Sequence, residues 1–323
     1  MAMGMWGPQV LLREATSLQN QLALLIREQG LRSHEDQDDT LSWEDWILLE
    51  GDRRTKFLAY CFFSLHSIAY DTPPLLLASE MKMKLPQSTR EWEADSARQW
   101  QAIRRTAPRN NLSFHYILSK LFDAEQAFAE HADHPPISSL GNYVLIHAII
   151  QHIFFVRQTS VMANPIAQDS RLQPEDIQKF ERILRFYQIG WERAPESSLD
   201  PANPYGPIAF SSTALLRLAY IRLHCNIGPC RRLDTREPQV IARALKASPP
   251  LIRSPLLSRA ILQSAHALSI PVKIGIKYVA HTQTLMWSMQ HSLCNLECAL
   301  FLSKPYITNH NTPCFVFVLE CTN

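Results

Sequence analysis

The sequence predicts an all-α fold, and three observations carry that prediction. Apolar residues recur at three- and four-residue intervals over long stretches, the period of a helix with one buried face. Prolines, 21 of them, gather between these stretches rather than inside them, as helix stops do. Glycine is scarce at nine residues, and none forms a Gly-x-Gly-x-x-Gly or P-loop arrangement, which argues against a doubly wound nucleotide-binding sheet.

The elements follow in order. Leu11, Ala15, Leu18, Leu22 and Leu25 form a stripe that ends at Gly30 and predicts a helix packed on the core through its leucines. Only about two heptads are present, fewer than a safe coiled-coil assignment needs. The acidic stretch HEDQDDT (34–40) reads as a linker. Ser42 stands three residues before Asp45, a capping pattern opening a long apolar helix whose Trp43 and Trp46 enter the core. In it Glu50 precedes Arg53 and Arg54, the favourable order for exposed ion pairs worth about 0.2–0.5 kcal/mol each. Asp71-Thr72-Pro73-Pro74 should stop this helix.

A helical block then runs through Trp92 and Trp100 to Arg105, followed by Leu112–Glu130 and an apolar helix from Leu140 to Val161. Pro174, with Glu175 and Asp176 behind it, has the chemistry of a helix first turn. Ile177, Phe180, Leu184, Tyr187 and Trp191 continue as one stripe. Pro195, Pro201, Pro204 and Pro207 make 194–208 the internal break of a domain spanning 1–304. Helices near 210–224, 255–269 and 281–303 complete the set, the last with Met289, Leu293, Leu296 and Leu300 on one face and Trp287, Cys294 and Cys298 on another. The tail 305–323, PYITNHNTPCFVFVLECTN, is β-branched and aromatic; it reads as irregular or short β structure, or as residue of a misread gene.

Composition narrows function. The chain has 323 residues, 46% hydrophobic and 19% charged, enough for a sizeable core and too apolar for disorder. Residues 1–50 hold 3 Arg against 9 Asp/Glu, a net −6, which leaves +8 on the remainder of a chain with net charge +2. The pairs Arg104–Arg105 and Arg231–Arg232 read as solvated surface. The two most apolar runs, 57–70 and 143–156, are too short to span a bilayer, and nothing at the N-terminus resembles a signal peptide. Seven scattered cysteines suit a reducing compartment, so a soluble intracellular protein is expected.

Chemistry-bearing constellations are thin. His291, Cys294 and Cys298 share a helical face, and Cys225 and Cys230 flank a turn beside His224, but neither group completes a four-ligand zinc set. Burial in the core is the expected fate of these cysteines. Asp36, Asp38 and Asp39 evoke an aspartate-rich magnesium site of an all-α enzyme, yet no second magnesium motif follows. No nucleophile elbow and no His-Glu-x-x-His occur. Arginines are frequent between 210 and 245, with no DNA-reading module around them.

From Ser42 onward the residues resemble the fungal-specific transcription factor domain, or middle homology region. The likeness rests on Trp43 and Glu44, the pair Arg53–Arg54, the turn Pro73–Pro74, Leu85–Pro86, and Trp92. It extends to LLRLAYIRLH (215–224), ALSIPVKIGIKYVA (267–280) and WSMQHSLCNLECALFLSK (287–304), which carries Trp287, His291, Cys294 and Cys298. The closer likeness is to the branch usually attached to two-cysteine, two-histidine zinc fingers. The resemblance implies a nuclear, non-catalytic regulatory domain of RNA polymerase II transcription that works through protein partners, a full-length relative or itself among them. It also implies that zinc belongs to a finger module lacking here, so that this chain carries no cofactor and reads no DNA sequence alone. The motif positions are expected to hold helices together rather than to bind a ligand. A helical interaction module without a transcriptional role, and a magnesium-dependent enzyme, are the alternatives.

Overall fold

The computed structural model describes residues 7–32, 41–106, 111–123, 136–163, 172–200, 202–248, 250–252, 254–281, 288–304, 306–307 and 313–314. Twelve α-helices lie among them. Helix α1 is Gln9–Glu28 and α2 is Trp43–Tyr70; α3 (Thr89–Trp92), α4 (Ala97–Thr106) and α5 (Phe114–Phe122) are short. The long helices α6 (Ser139–Ala163), α7 (Pro174–Arg193) and α8 (Ile208–His224) follow. The series closes with α9 (Pro238–Lys246), α10 (Leu257–Ile274), α11 (Ile276–His281) and α12 (Met289–Ser303). Three two-residue strands, Leu251–Ile252, Tyr306–Ile307 and Pro313–Cys314, form a small mixed sheet, so the described part of the tail is short β structure.

Local chemistry sets the ends. Gly30 adopts φ +85° two residues after α1, the left-handed stop that glycine takes without strain. The Ser42 hydroxyl accepts the Asp45 N–H at 3.1 Å and donates to its carboxylate at 2.8 Å, which caps α2. Asp71 ends that helix at φ 56°, before the paired prolines. Pro174 occupies the first turn of α7 with Glu175 and Asp176. Pro271 lies inside α10, which runs on to Ile274 rather than stopping at 269. It stands in the last turn before Gly275 at φ +103° and supplies no N–H to the helix ladder.

Helix α8 is the axis. Fourteen of its 17 residues are buried, with α6 and α7 against it on one side and α10 and α12 on another. The main core collects Phe57, Tyr60, Phe114, Val144, Ile183 and Leu218, while a second core under α10 and α12 collects Ile221, Leu257, Ala260, Cys298 and Phe301. Trp46, Ala94 and Trp100 form a satellite with Trp43 packed on it.

Several expectations are corrected. The leucines of α1 do not pack on the body: Leu18, Leu22 and Leu25 are 54%, 39% and 55% exposed, and the inward face is Ala15, Gln19, Ala23 and Ile26. The block from Trp92 to Arg105 is two helices broken after Glu93, and the helix expected from Leu112 is described only over Phe114–Phe122. The last helix starts at Met289, with α11 separate before it. Helix α9 was not anticipated. Helix α6 is long and apolar enough to cross a bilayer over Ser139–Ser160, contrary to the short run read from the sequence, but 78% of its most apolar window is buried inside the fold, as in a core helix. The acidic linker 34–40 with Asp36, Asp38 and Asp39, and Trp287, lie outside the described residues.

Candidate functional site

The motif residues converge on one buried carboxylate. Glu50 is fully buried, and its Oε2 accepts Arg53 Nη1 at 2.6 Å. Its Oε1 accepts Arg54 Nε at 2.8 Å and the Gln87 N–H at 3.0 Å. Arg54 also donates to the Gln87 carbonyl at 2.7 Å, and its guanidinium stands 4.8 Å over the Trp92 ring. Buried Leu85 and Pro86 precede Gln87 directly. Thus Arg53, Arg54, Leu85, Pro86 and Trp92 form one assembly that pins the 85–92 segment to α2. The ion pairs expected to be exposed are buried, which changes their energetics: removing one partner leaves an uncompensated charge in the interior. Glu44 and Pro73 are exposed and Pro74 half-buried, so none of these joins the assembly.

A second carboxylate continues the pattern. Glu196, 5% exposed within the proline-rich break, accepts the Thr89 N–H at 2.6 Å, the Thr89 hydroxyl at 3.0 Å and the Ser139 N–H at 2.8 Å. It caps the starts of α3 and α6 together. No sequence rule pointed to it, because its partners lie 107 and 57 residues away. Beside this cap opens a cleft of about 370 Å³ with Pro86, Ser88, Arg90, Ile137, Pro195 and Tyr205 on its walls. The Glu196 carboxylate there is occupied as an acceptor by Thr89 and Ser139.

Residues 20–192 match the fungal specific transcription factor domain, more than half of the chain. The chain belongs to the fungal specific transcription factor domain family. Residues 226–308 match the fungal transcription factor C-terminal domain. This is not an enzyme family. No curated protein and no solved structure matches the chain.

Helix α8 lies between the two matched segments of this transcription factor domain, and a buried ionic clasp ties them. Glu297 on α12 accepts Arg222 Nη2 at 2.8 Å and also Arg231 Nη1. Arg222 and Arg231 each donate further to the Ile68 carbonyl near the end of α2, at 2.8 and 2.6 Å. Burial alone would push the Glu297 carboxyl up, but the two guanidinium groups hold it below its ordinary value. Gly228 approaches closely here: a Cβ would press on the Asp71 carboxylate, which would have to move aside. Arg231 is therefore not solvated surface; at 1% exposure it is interior, with Arg232 outside. Arg104 likewise turns in, 4.3 Å over Trp100, and Arg105 stays out.

The remaining motif residues of α12 are core. His291 Nδ1 meets the Ser288 hydroxyl at 2.8 Å, its ring stacks on Phe210 at 4.3 Å, and burial pushes it down to about 3, a neutral imidazole. Cys294 and Cys298 thiols touch at 3.7 Å, and that mutual contact with burial raises Cys294. Cys225 is pushed up to about 11 by burial. Among the described residues no group of three His, Cys, Asp or Glu side chains is placed to hold a metal ion. Arg217, one of the arginines between 210 and 245, is 5% exposed inside α8.

Proposed function

We propose that the chain is a transcription regulator that acts in the nucleus through protein partners in RNA polymerase II transcription, while a separate module reads DNA. Family membership over 20–192, joined by the C-terminal domain over 226–308, is the observation that carries this reading. The motif chemistry supports it. Arg53 and Arg54 spend these hydrogen bonds on Glu50 and the Gln87 carbonyl, and Arg54 stands over Trp92, as in a scaffold. Specific DNA binding requires side chains held at base edges. Of the arginines from 210 to 245, Arg217, Arg222 and Arg231 are committed to interior contacts, which leaves Arg232 and Arg243 exposed.

The test is a fusion of residues 1–323 to a heterologous DNA-binding module, assayed on a reporter in a fungal nucleus. Reporter output is expected to change relative to the module alone, in either direction. Unchanged output from a nuclear, folded fusion would overturn the reading. Alongside it, a selection on random duplexes with the purified chain is expected to enrich no sequence. The chain is also proposed to hold no zinc, and metal analysis finding one tightly bound zinc per molecule would contradict that.

A further inference from the structure

Residues 238–296 contain no aspartate or glutamate, while Arg243, Lys246, Arg253, Arg259, Lys273 and Lys277 lie within them. Most of α9 to α12 is therefore built without a local counter-charge. Arg259 interacts with Glu181 of α7, whose carboxyl burial raises above its ordinary value although Arg259 and Arg185 pull it down. The outward side of α10 and α11 is different. Lys273 and Lys277 are exposed, and no ion pair engages either among the described residues.

Beneath that side lies Arg217, 5% exposed and without a carboxylate partner among the described residues. Its Nη1 donates to the Thr213 hydroxyl at 2.9 Å, and its Nη2 reaches His266 Nδ1 on α10 at 3.4 Å. A buried guanidinium normally has an anion beside it, because isolated charge in the interior is costly. Here it has a histidine that leads to the surface. With Nδ1 accepting from Arg217, the exposed His266 carries its proton on Nε2 and points a donor outward, polarised by the cation behind it. Burial, then Arg217, then Lys273 keep that imidazole from taking a second proton.

The same face is apolar where it is not cationic. Leu262, Val272 and Ile276 are 68%, 67% and 68% exposed, far above the partial exposure of the residues packed below them. On α10 the spacing Leu262, His266, Ser269, Lys273 keeps one line along the helix.

We propose that the outward face of α10 and α11 docks an acidic amphipathic helix from a protein partner. Its carboxylates would meet His266, Lys273 and Lys277, and its apolar side chains would cover Leu262, Val272 and Ile276. Nucleic-acid phosphates fit the cations but leave three large apolar side chains in water, so a protein helix is the better occupant. The line from Leu262 to Lys273 is about 16 Å long, so an occupant of about 14 residues spans it. The inference rests on the reading that the chain works through partners. It is tested separately from the reporter, so a silent reporter with intact peptide binding would fault the transcriptional reading alone.

The probe is a fluorescein-labelled 14-residue peptide with leucines on one helical face and glutamates on the other, titrated with chain 1–323 at physiological salt. Comparators are a scrambled peptide, the same peptide with lysine for glutamate, a random duplex, and vesicles of phosphatidylserine and phosphatidylcholine. The acidic peptide should bind more tightly than its scramble and than the lysine peptide. Lys273→Glu with Lys277→Glu should weaken it about tenfold, the effect of two reversed rim charges. Leu262→Ser with Val272→Ser and Ile276→Ser should weaken it similarly. All five positions are exposed, and circular dichroism checks that the variants fold. Binding no tighter than the scramble, or variants that bind like the parent, would overturn the proposal. So would a duplex or vesicle that binds more tightly than the acidic peptide and is lost in the lysine variant.

Discussion

At Glu50 a single carboxylate holds two arginines and a backbone N–H with no water to replace it. Glu50→Gln keeps the shape and removes the buried charge that Arg53 and Arg54 share. The expected loss is about 3–5 kcal/mol, measured as a drop in urea unfolding free energy. The Arg27–Glu80 pair has equally short contacts, at 2.6 Å, but its side chains are 39% and 27% exposed. Glu80→Gln should therefore cost under about 1 kcal/mol. Equal effects from the two variants would mean that burial does not decide the energetics here.

His147 on α6 makes a complementary case. It is 0% exposed, neither ring nitrogen has a hydrogen-bond partner among the described residues, and burial pushes it down to about 3 from an ordinary value of 6.5. Its folded value lies below its unfolded one, so the unfolded chain takes up the proton first as pH falls. The stability tied to neutral His147 is thus complete above about pH 6.5 and is lost on the way down towards pH 3, at about 1.4 kcal/mol per pH unit. His147→Leu removes this term. Between pH 7.5 and 5 the parent should lose about 2 kcal/mol more than the variant. His66, His224 and His291, also depressed by burial, keep some acid sensitivity in both proteins. Parallel losses in parent and variant would rule out this account of His147.

Among the elements, α1 shows how a helix can be legible while its orientation is not. The 4-3-4-3 leucine spacing marked a helix correctly, and hydrophobicity alone would turn those leucines inward. The body accepts only a narrow face there, and Ala15 and Ala23, both 2% exposed, fit where leucine does not. Leu22→Ser with Leu25→Ser should change stability by no more than about 0.5 kcal/mol each. Ala23→Leu should cost about 1–3 kcal/mol by overpacking. The reverse ranking in urea melts would restore the leucine face as the packed one.

Helix α2 was legible from its serine cap and closing prolines, α7 from its first-turn proline and apolar stripe, and α6 from its apolar run alone. The interior arginines were not. Charge reads as surface in a sequence, and the carboxylate that admits Arg231 is 66 residues downstream. The motif residues were named from the family likeness, but that Arg53, Arg54, Leu85, Pro86 and Trp92 meet at Glu50 depends on the 85–92 segment returning to α2, which no local pattern encodes.

The whole molecule is matched in two segments, 20–192 and 226–308, yet its packing gives no seam between them. Leu215, Leu218 and Tyr220 of α8 belong to the main core, while Ala214 and Ile221 of the same helix belong to the second. A helix shared in this way cannot lose one core without exposing part of the other. The clasp adds a polar tie, since Glu297 holds both arginines that bond the Ile68 carbonyl of α2. The two segments should therefore unfold together. Buried cysteines report this directly: Cys61 sits in the main core at 1% exposure, and Cys294 and Cys298 in the second at 2% and 0%. Pulse labelling of thiols across a urea series, read site by site by mass spectrometry, should give one midpoint for all three. Glu297→Gln leaves two guanidinium groups uncompensated and should lower stability by about 3–5 kcal/mol. In that variant Cys294 and Cys298 should become reactive at lower urea than Cys61, because the tie is lost on the side of the second core. Separate midpoints already in the parent would show that α8 does not couple the segments, and that each matched segment folds as its own unit.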